Sequence, residues 1–151
     1  MVAKAEKPGV IVRRARTSDA RQIAGLSGEL GYPSTAAMVA KRLRTLRPAS
    51  QHAVFVAETT AGEVVGWVHI SISRLLESEA RAEVNALVVT ASQRSLGAGA
   101  QLLAVAEAWS KKQRCRTVNV RSNVTRERAH NFYLRNGYEH YKTQKAFRKT
   151  L

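Results

Sequence analysis

Residues 93–103 read QRSLGAGAQLL: two glycines one residue apart, then apolar residues at helical spacing. Glycine in that place signals something close to the backbone: a phosphate, another helix, or only a tight turn. A dinucleotide fingerprint needs G-x-G-x-x-G, but Gly97 and Gly99 are followed by Leu102 at the third position. A Walker A loop needs Gly-Lys-Ser/Thr, which is absent. What remains is a strand, a turn carrying Arg94, and a helix whose first N–H groups lack internal partners. Such a terminus binds anions through aligned amides, and side chains at 97 and 99 would stand in the way. On this stretch alone, an anion site and a tight turn or close helix packing both stand.

Working outward, ARAEVNALVV (80–89) before the glycines is β-rich, and a helix is expected from Gly99 to about Gln113. GVIVRRAR reads as a first strand, and TSDARQIAGLSGELG and STAAMVAKRLRTLRP as two helices closed by Gly31 and Pro48. The β-rich runs around TAGE signal a hairpin. RTVNVRS is a short strand, TRERAHNFYLRNG a helix ending at Gly137, and YEHYKT and QKAFRKTL two closing strands. The order β-α-α-β-β-β-α-β-α-β-β has no repeat and no linker. It predicts one domain over residues 9–151 behind a loose end at 1–8.

The 151 residues are 44% hydrophobic, the profile of a globular domain burying roughly two-thirds of its unfolded surface. No run approaches the ~18 apolar residues of a membrane span, and MVAKAEKPG lacks a signal-peptide core. A lone cysteine, Cys115, excludes an internal disulfide and fits a reducing compartment, so a cytoplasmic location is expected. Lys and Arg total 25 against 11 acids, a net charge of +14 that attracts anions. The basic residues are spread along the chain, which argues against a dedicated nucleic-acid groove.

A second stretch, SNVTRERAHNFYLRNGYE (122–139), puts Ala129, Phe132, Tyr133 and Asn136 on one helical face. The small Ala129 one turn before Tyr133 leaves room for something to pass, and Asn123 brings free amide donors and acceptors; alternatively the aromatics are ordinary core. Together the two stretches resemble the GNAT superfamily, the Gcn5-related N-acetyltransferases. Arg94, Gly97 and Gly99 fill its Arg/Gln-x-x-Gly-x-Gly/Ala loop. Asn123, Ala129, Phe132, Tyr133, Gly137 and Tyr138 match its second segment in register. Ser95, where many members have a third glycine, and Leu96 depart from the pattern without removing a backbone N–H.

The resemblance implies an α/β (α+β) GNAT fold: a mixed sheet of about seven strands, helices on both faces, splayed between strands 4 and 5. Acetyl-CoA would lie in that splay as co-substrate, with no metal. Leu87, Val88 and Val89 would meet its pantetheine arm and thioester. Arg94, Ser95, Leu96, Gly97, Ala98, Gly99 and Ala100 would cradle the pyrophosphate, with Asn123, Phe132 and Tyr133 alongside. The family often forms homodimers.

Acetyl transfer to an amine needs a neutral nucleophile. At a lysine-like pKa of ~10.4 only about one amine in a few thousand is neutral at pH 7. Glu83, six residues before Val89, is the candidate base, directly or through water; it also reads as a surface glutamate at a strand end. Tyr133 is the candidate acid for the leaving thiolate, and the Val89 N–H the oxyanion donor. His52, His69, His130 and His140 show no metal-ligand spacing; His130 and Asn131 read as solvent residues, and Cys115 as a small buried hydrophobe. Glu29, Tyr32, His69 and Glu79 are candidate contacts for the acceptor, expected to be a small-molecule amine. A protein lysine or N-terminus, a tRNA-directed activity, and a non-catalytic acetyl-CoA-binding role are the alternatives.

Overall fold

The computed structural model describes residues 9–46 and 48–151; the expected loose segment 1–8 lies outside the described residues, as do the side chains of Ser95 and Leu96. The chain divides into two units, one ending at Arg121 and one running from Ser122 to Leu151. In the first, β1 (Val10–Arg14) leads through a 3-10 turn at Thr17–Asp19 into α1 (Ala20–Glu29) and then α2 (Ala36–Thr45). There follow β2 (His52–Thr59), β3 (Val64–Leu75), β4 (Ser78–Val89), a 3-10 turn at Ala91–Leu96, α3 (Ala98–Lys112) and β5 (Val118–Val120).

Local chemistry sets these boundaries. Thr35 Oγ1 accepts from the Met38 N–H at 3.2 Å and caps α2. The β2–β3 hairpin turns at Gly62, whose φ of +83° lies in the left-handed region that favours glycine. The strands lie in the order β1-β2-β3-β4-β5. The first three pairings are antiparallel, and β4–β5 is parallel. A parallel return needs a crossover, and α3 supplies it.

Helices cover both faces of this sheet. Val56 and Val88, each opposite Trp67, and Val64 pack with Ala20, Ile23 and Leu26 of α1 and Val39 of α2. Gly66, just before Trp67, faces α3: a Cβ there would lie 3.1 Å from Leu102 Cδ1 and 2.8 Å from the Val88 carbonyl oxygen. Backbone does not yield as a side chain does, so Gly66 admits β4 at a separation that alanine would not. On the α3 side Val68, Ile70, Leu102 and Leu103 are fully buried, each contributing roughly 1.5–3 kcal/mol. At the start of α1, buried Asp19 accepts two hydrogen bonds from Arg13, at 2.8 and 2.9 Å, and one from the Arg16 N–H.

The second unit holds α4 (Glu127–Arg135), which ends at Gly137 with φ +88°. The mixed α/β class is as the sequence implies, but among the described residues the sheet has five strands rather than about seven. YEHYKT and QKAFRKTL form no strand. Residues 139–151 are exposed throughout and carry Lys142, Lys145, Arg148 and Lys149, so their weak alternation buries no face.

Candidate active site

Pairing between β4 and β5 starts at Ala82↔Val118 and stops at Val84↔Val120, whereas β4 runs on to Val89. The Ala82 N–H donates to the Thr117 carbonyl on the β5 side at 3.0 Å. A bulge inserts Asn85, between the pairs Ile70↔Val84 and His69↔Ala86. Beyond it the Thr90 N–H donates to the Val65 carbonyl at 2.8 Å, and Trp67 lies opposite Val88. The alternation of an antiparallel ladder therefore turns the Val88 N–H and C=O toward β3, and those of Leu87 and Val89 to the other edge. β5 ends before reaching them. Of Val88 and Val89, the two residues expected to offer backbone groups, Val88 is corrected: its polar groups turn into the sheet.

This edge runs into the opening glycines. Arg94 is exposed in the 3-10 turn, and Gly97 caps α3 with φ +72°. A Cβ at Gly97 would meet no protein atom within 4 Å, so within the chain it is the left-handed backbone that demands glycine there. The first bond of the helix runs from the Gln101 N–H to the Gly97 carbonyl at 3.1 Å. The N–H groups of Ala98, Gly99 and Ala100 precede it and have no acceptor within the helix.

On the sheet face toward α1 and α2, register assembles a polar row: His52 of β2 lies opposite Ser71 of β3, Ser71 opposite Glu83 of β4, and Glu83 opposite Asn119 of β5. Directly opposed residues share a face. Glu83 is 7% exposed, and its Oε1 accepts from Arg81 Nε at 3.0 Å. It is therefore a buried, ion-paired carboxylate and not a surface one. Asn85 Nδ2 donates to Ser71 Oγ at 2.7 Å, and His69 sits beside the row with its ring on His52. His52, Ser71, Asn85 and Asn119 were not anticipated in this site. A signal existed: polar residues recur at every second position in HISIS (69–73) and RAEVN (81–85), on strands otherwise built from core residues.

In the second unit Tyr133 is half-buried, its ring edge-on to Phe132 (5.3 Å) and Tyr138 (5.6 Å). Burial raises its pKa above the ordinary tyrosine value, partly opposed by Arg126, so the hydroxyl keeps its proton at neutral pH. Asn123 is not the free amide expected. Its Oδ1 accepts from the Thr125 N–H and Oγ1 at 3.0 and 2.9 Å, an Asx turn that starts α4. His130, expected in solvent, is half-buried with Nε2 2.9 Å from the Asn123 carbonyl.

The remaining candidates stand apart from the row. Glu29 is exposed, with long contacts to Thr90 Oγ1 (3.4 Å) and the Ala91 N–H (3.5 Å). Tyr32 is exposed, as is Glu79, four residues and roughly 13 Å along β4 from Glu83. Cys115 is buried, and burial pushes its thiol pKa up, away from nucleophilic use. Among the described residues no three His, Cys, Asp or Glu side chains group as metal ligands, and no helix is long and apolar enough to cross a membrane.

Comparison with known proteins gives three findings. The model of the Acetyltransferase (GNAT) family matches residues 23–138. An aminoalkylphosphonate N-acetyltransferase of Salmonella typhimurium is 35% identical over 88 residues. That alignment covers 56% of this chain, which spans 57% of the relative's length. Among solved structures, an aminoglycoside N-acetyltransferase in complex with CoA superposes with a TM-score of 0.84 at 18% identity, over 97% of this chain and 99% of that one. A GNAT family acetyltransferase of Staphylococcus aureus gives 0.73 at 24% identity, over 95% and 99%. At those identities the likeness is one of fold.

Proposed function

Because the chain belongs to the Acetyltransferase (GNAT) family, we propose that it moves the acetyl group of acetyl-CoA to a primary amine, by direct attack in a ternary complex. The observation that carries this reading is the edge of β4 left open beyond Val84 and leading into the Gly97-capped start of α3. The pantetheine arm is an amide chain, and the outward N–H and C=O groups of Leu87 and Val89 suit it as ladder partners. The N–H groups of Ala98, Gly99 and Ala100 suit the pyrophosphate, with Arg94 on the turn before them. The open space at Gly97 leaves that approach clear.

Acetyl-CoA supplies the acetyl group as a thioester; the chain supplies the proton handling and the polarisation. Glu83 takes the proton that the attacking amine must lose. Arg81 fixes one of its oxygens at 3.0 Å, leaving the other for the amine or an intervening water. The Val89 N–H stabilises the developing oxyanion. Tyr133, kept protonated by burial, gives its proton to the departing thiolate.

The acceptor in this reading is a small amine that also bears an anion. A net charge of +14 attracts such a molecule and repels polycations, and the Salmonella relative carries the name of an aminoalkylphosphonate enzyme. A thermal-shift and thiol-release assay tests the reading, with acetyl-CoA first and then a panel of zwitterionic, cationic and peptide amines. Acetyl-CoA at 100 times its Kd should stabilise the fold by about 2.7 kcal/mol. No stabilisation overturns the proposal, and preferred release with peptide amines transfers the activity to proteins.

A further inference from the structure

Two imidazoles meet on the acceptor face, and acetyl transfer as set out above gives neither of them a task. His52 Nδ1 lies 3.2 Å from His69 Nε2, with ring centroids 5.5 Å apart and planes inclined by 30°. At that separation one nitrogen donates and the other accepts, so the contact holds a single proton. The outer nitrogens, His69 Nδ1 and His52 Nε2, remain for other partners. The two rings serve different surroundings. His69 lies opposite Ala86 and shares its sheet face with Ser71 and Glu83. His52 lines a cavity of about 230 Å³ with Arg14, Thr17, Leu43 and Leu46, and exposed Ala49 stands on its wall. That is room for several waters.

Acetylating an ammonium group leaves a proton to be removed. R–NH3+ loses two N–H protons on becoming an amide; one replaces the proton that Tyr133 gives to the departing sulfur, and the other, taken up by Glu83, must leave the protein. We propose that the His52–His69 pair carries this second proton from the acceptor face to water in the cavity beside β1 and α2. The proposal rests on the acetyl-transfer reading.

In the step, the O–H bond of protonated Glu83 breaks and its proton forms an N–H bond at His69 Nδ1. The His69 Nε2–H bond breaks as its proton passes to His52 Nδ1, and His52 releases its Nε2 proton to water. Three bonds form, three break, and both rings end neutral. Once the product has gone, the reverse sequence restores the starting tautomers, and His69 Nδ1 gives its proton to the solvent that then fills the acceptor face. Burial, and then the neighbouring His52, hold the His69 pKa at about 4. The ring is thus neutral at pH 7, offers a lone pair, and does not keep the proton it receives. The charged and titratable groups around the path are Glu83 and Arg81 from β4, His52 from β2, and Arg14 at the cavity.

His69→Gln and His52→Gln retain polar side chains at the contact and separate relay from packing. Each is expected to keep the wild-type Tm and the wild-type KM for acetyl-CoA while kcat falls on the order of 10²-fold. His52→Ala opens the cavity wall, and added imidazole should restore its turnover without rescuing Glu83→Gln. Unchanged kcat in both Gln variants, or His52→Ala that imidazole does not rescue, overturns the relay and leaves acetyl transfer standing. Absence of thiol release by the wild-type protein with every amine sinks acetyl transfer and the relay together.

Discussion

The two halves of the candidate site in the first unit are made of different material. The donor half is backbone: the outward groups of Leu87 and Val89 and the first N–H groups of α3, contained in one stretch from 87 to 100. The acceptor half is side chain: His52, His69, Ser71, Arg81 and Glu83, drawn from three strands and put in line by register. A backbone site announces itself through glycine, because local conformation builds it. A side-chain row across a sheet has no local signature, because its members become neighbours only when the strands pair.

The contrast breaks first at Glu83. Glu83→Gln keeps an acceptor for Arg81 and removes the base; turnover should fall about 10²–10⁴-fold with acetyl-CoA affinity intact. Loss of cofactor affinity instead would merge the two halves, and unchanged turnover would return Glu83 to structure. Tyr133→Phe should lower kcat by on the order of 10²-fold, also without weakening acetyl-CoA in a thermal-shift titration. A scaffold control follows at Asp19→Asn, which leaves Arg13 with Glu58 as its charged partner and should cost about 1.5–3 kcal/mol in urea unfolding.

The same pair fixes an acid limit. Hydrogen bonds from Arg13 lower the Asp19 pKa in the folded state, opposed by burial. A depressed carboxylate pKa stabilises the fold above the unfolded value near 4 and is lost as pH falls through the folded one. Wild-type stability should therefore drop below about pH 4 more steeply than that of Asp19→Asn, which unfolding curves across that range would show. The smallest effect is expected at the donor half: Gly66→Ala brings a Cβ against the Val88 carbonyl and should cost about 1–3 kcal/mol. Because that push moves β4 itself, acetyl-CoA affinity should fall with it. Stability lost with affinity intact would show that the donor edge tolerates displacement.

The helices, the β2–β3 hairpin and the β4–α3 junction were legible in the sequence because each is encoded within a few turns of chain: Thr35 caps, Gly62 turns, Leu102 and Leu103 bury. The closing strands were misread because a strand is defined by its neighbour, and alternation at Tyr141 or Phe147 says nothing of one. Within the site, Gly97 was found through the room a ligand would need at the backbone; its left-handed conformation is a second demand for glycine. Val88 failed on parity. Which residues of a strand turn their amides outward follows from the ladder and from the bulge at Asn85, and neither is written in the residues themselves. Ser71 and Asn85 were passed over because alternate polar positions on a buried strand were not counted.

The short reach of β5 also makes the donor edge a timepiece. Along one strand, Val88 and Thr90 turn their amide hydrogens into the sheet, while Leu87 and Val89 hold theirs where β5 does not come. In deuterated solvent, neighbouring amides of this strand should exchange at alternating slow and fast rates. A bound pantetheine arm would slow the fast ones, so that occupancy by the acetyl donor is read from two protons, before any product forms.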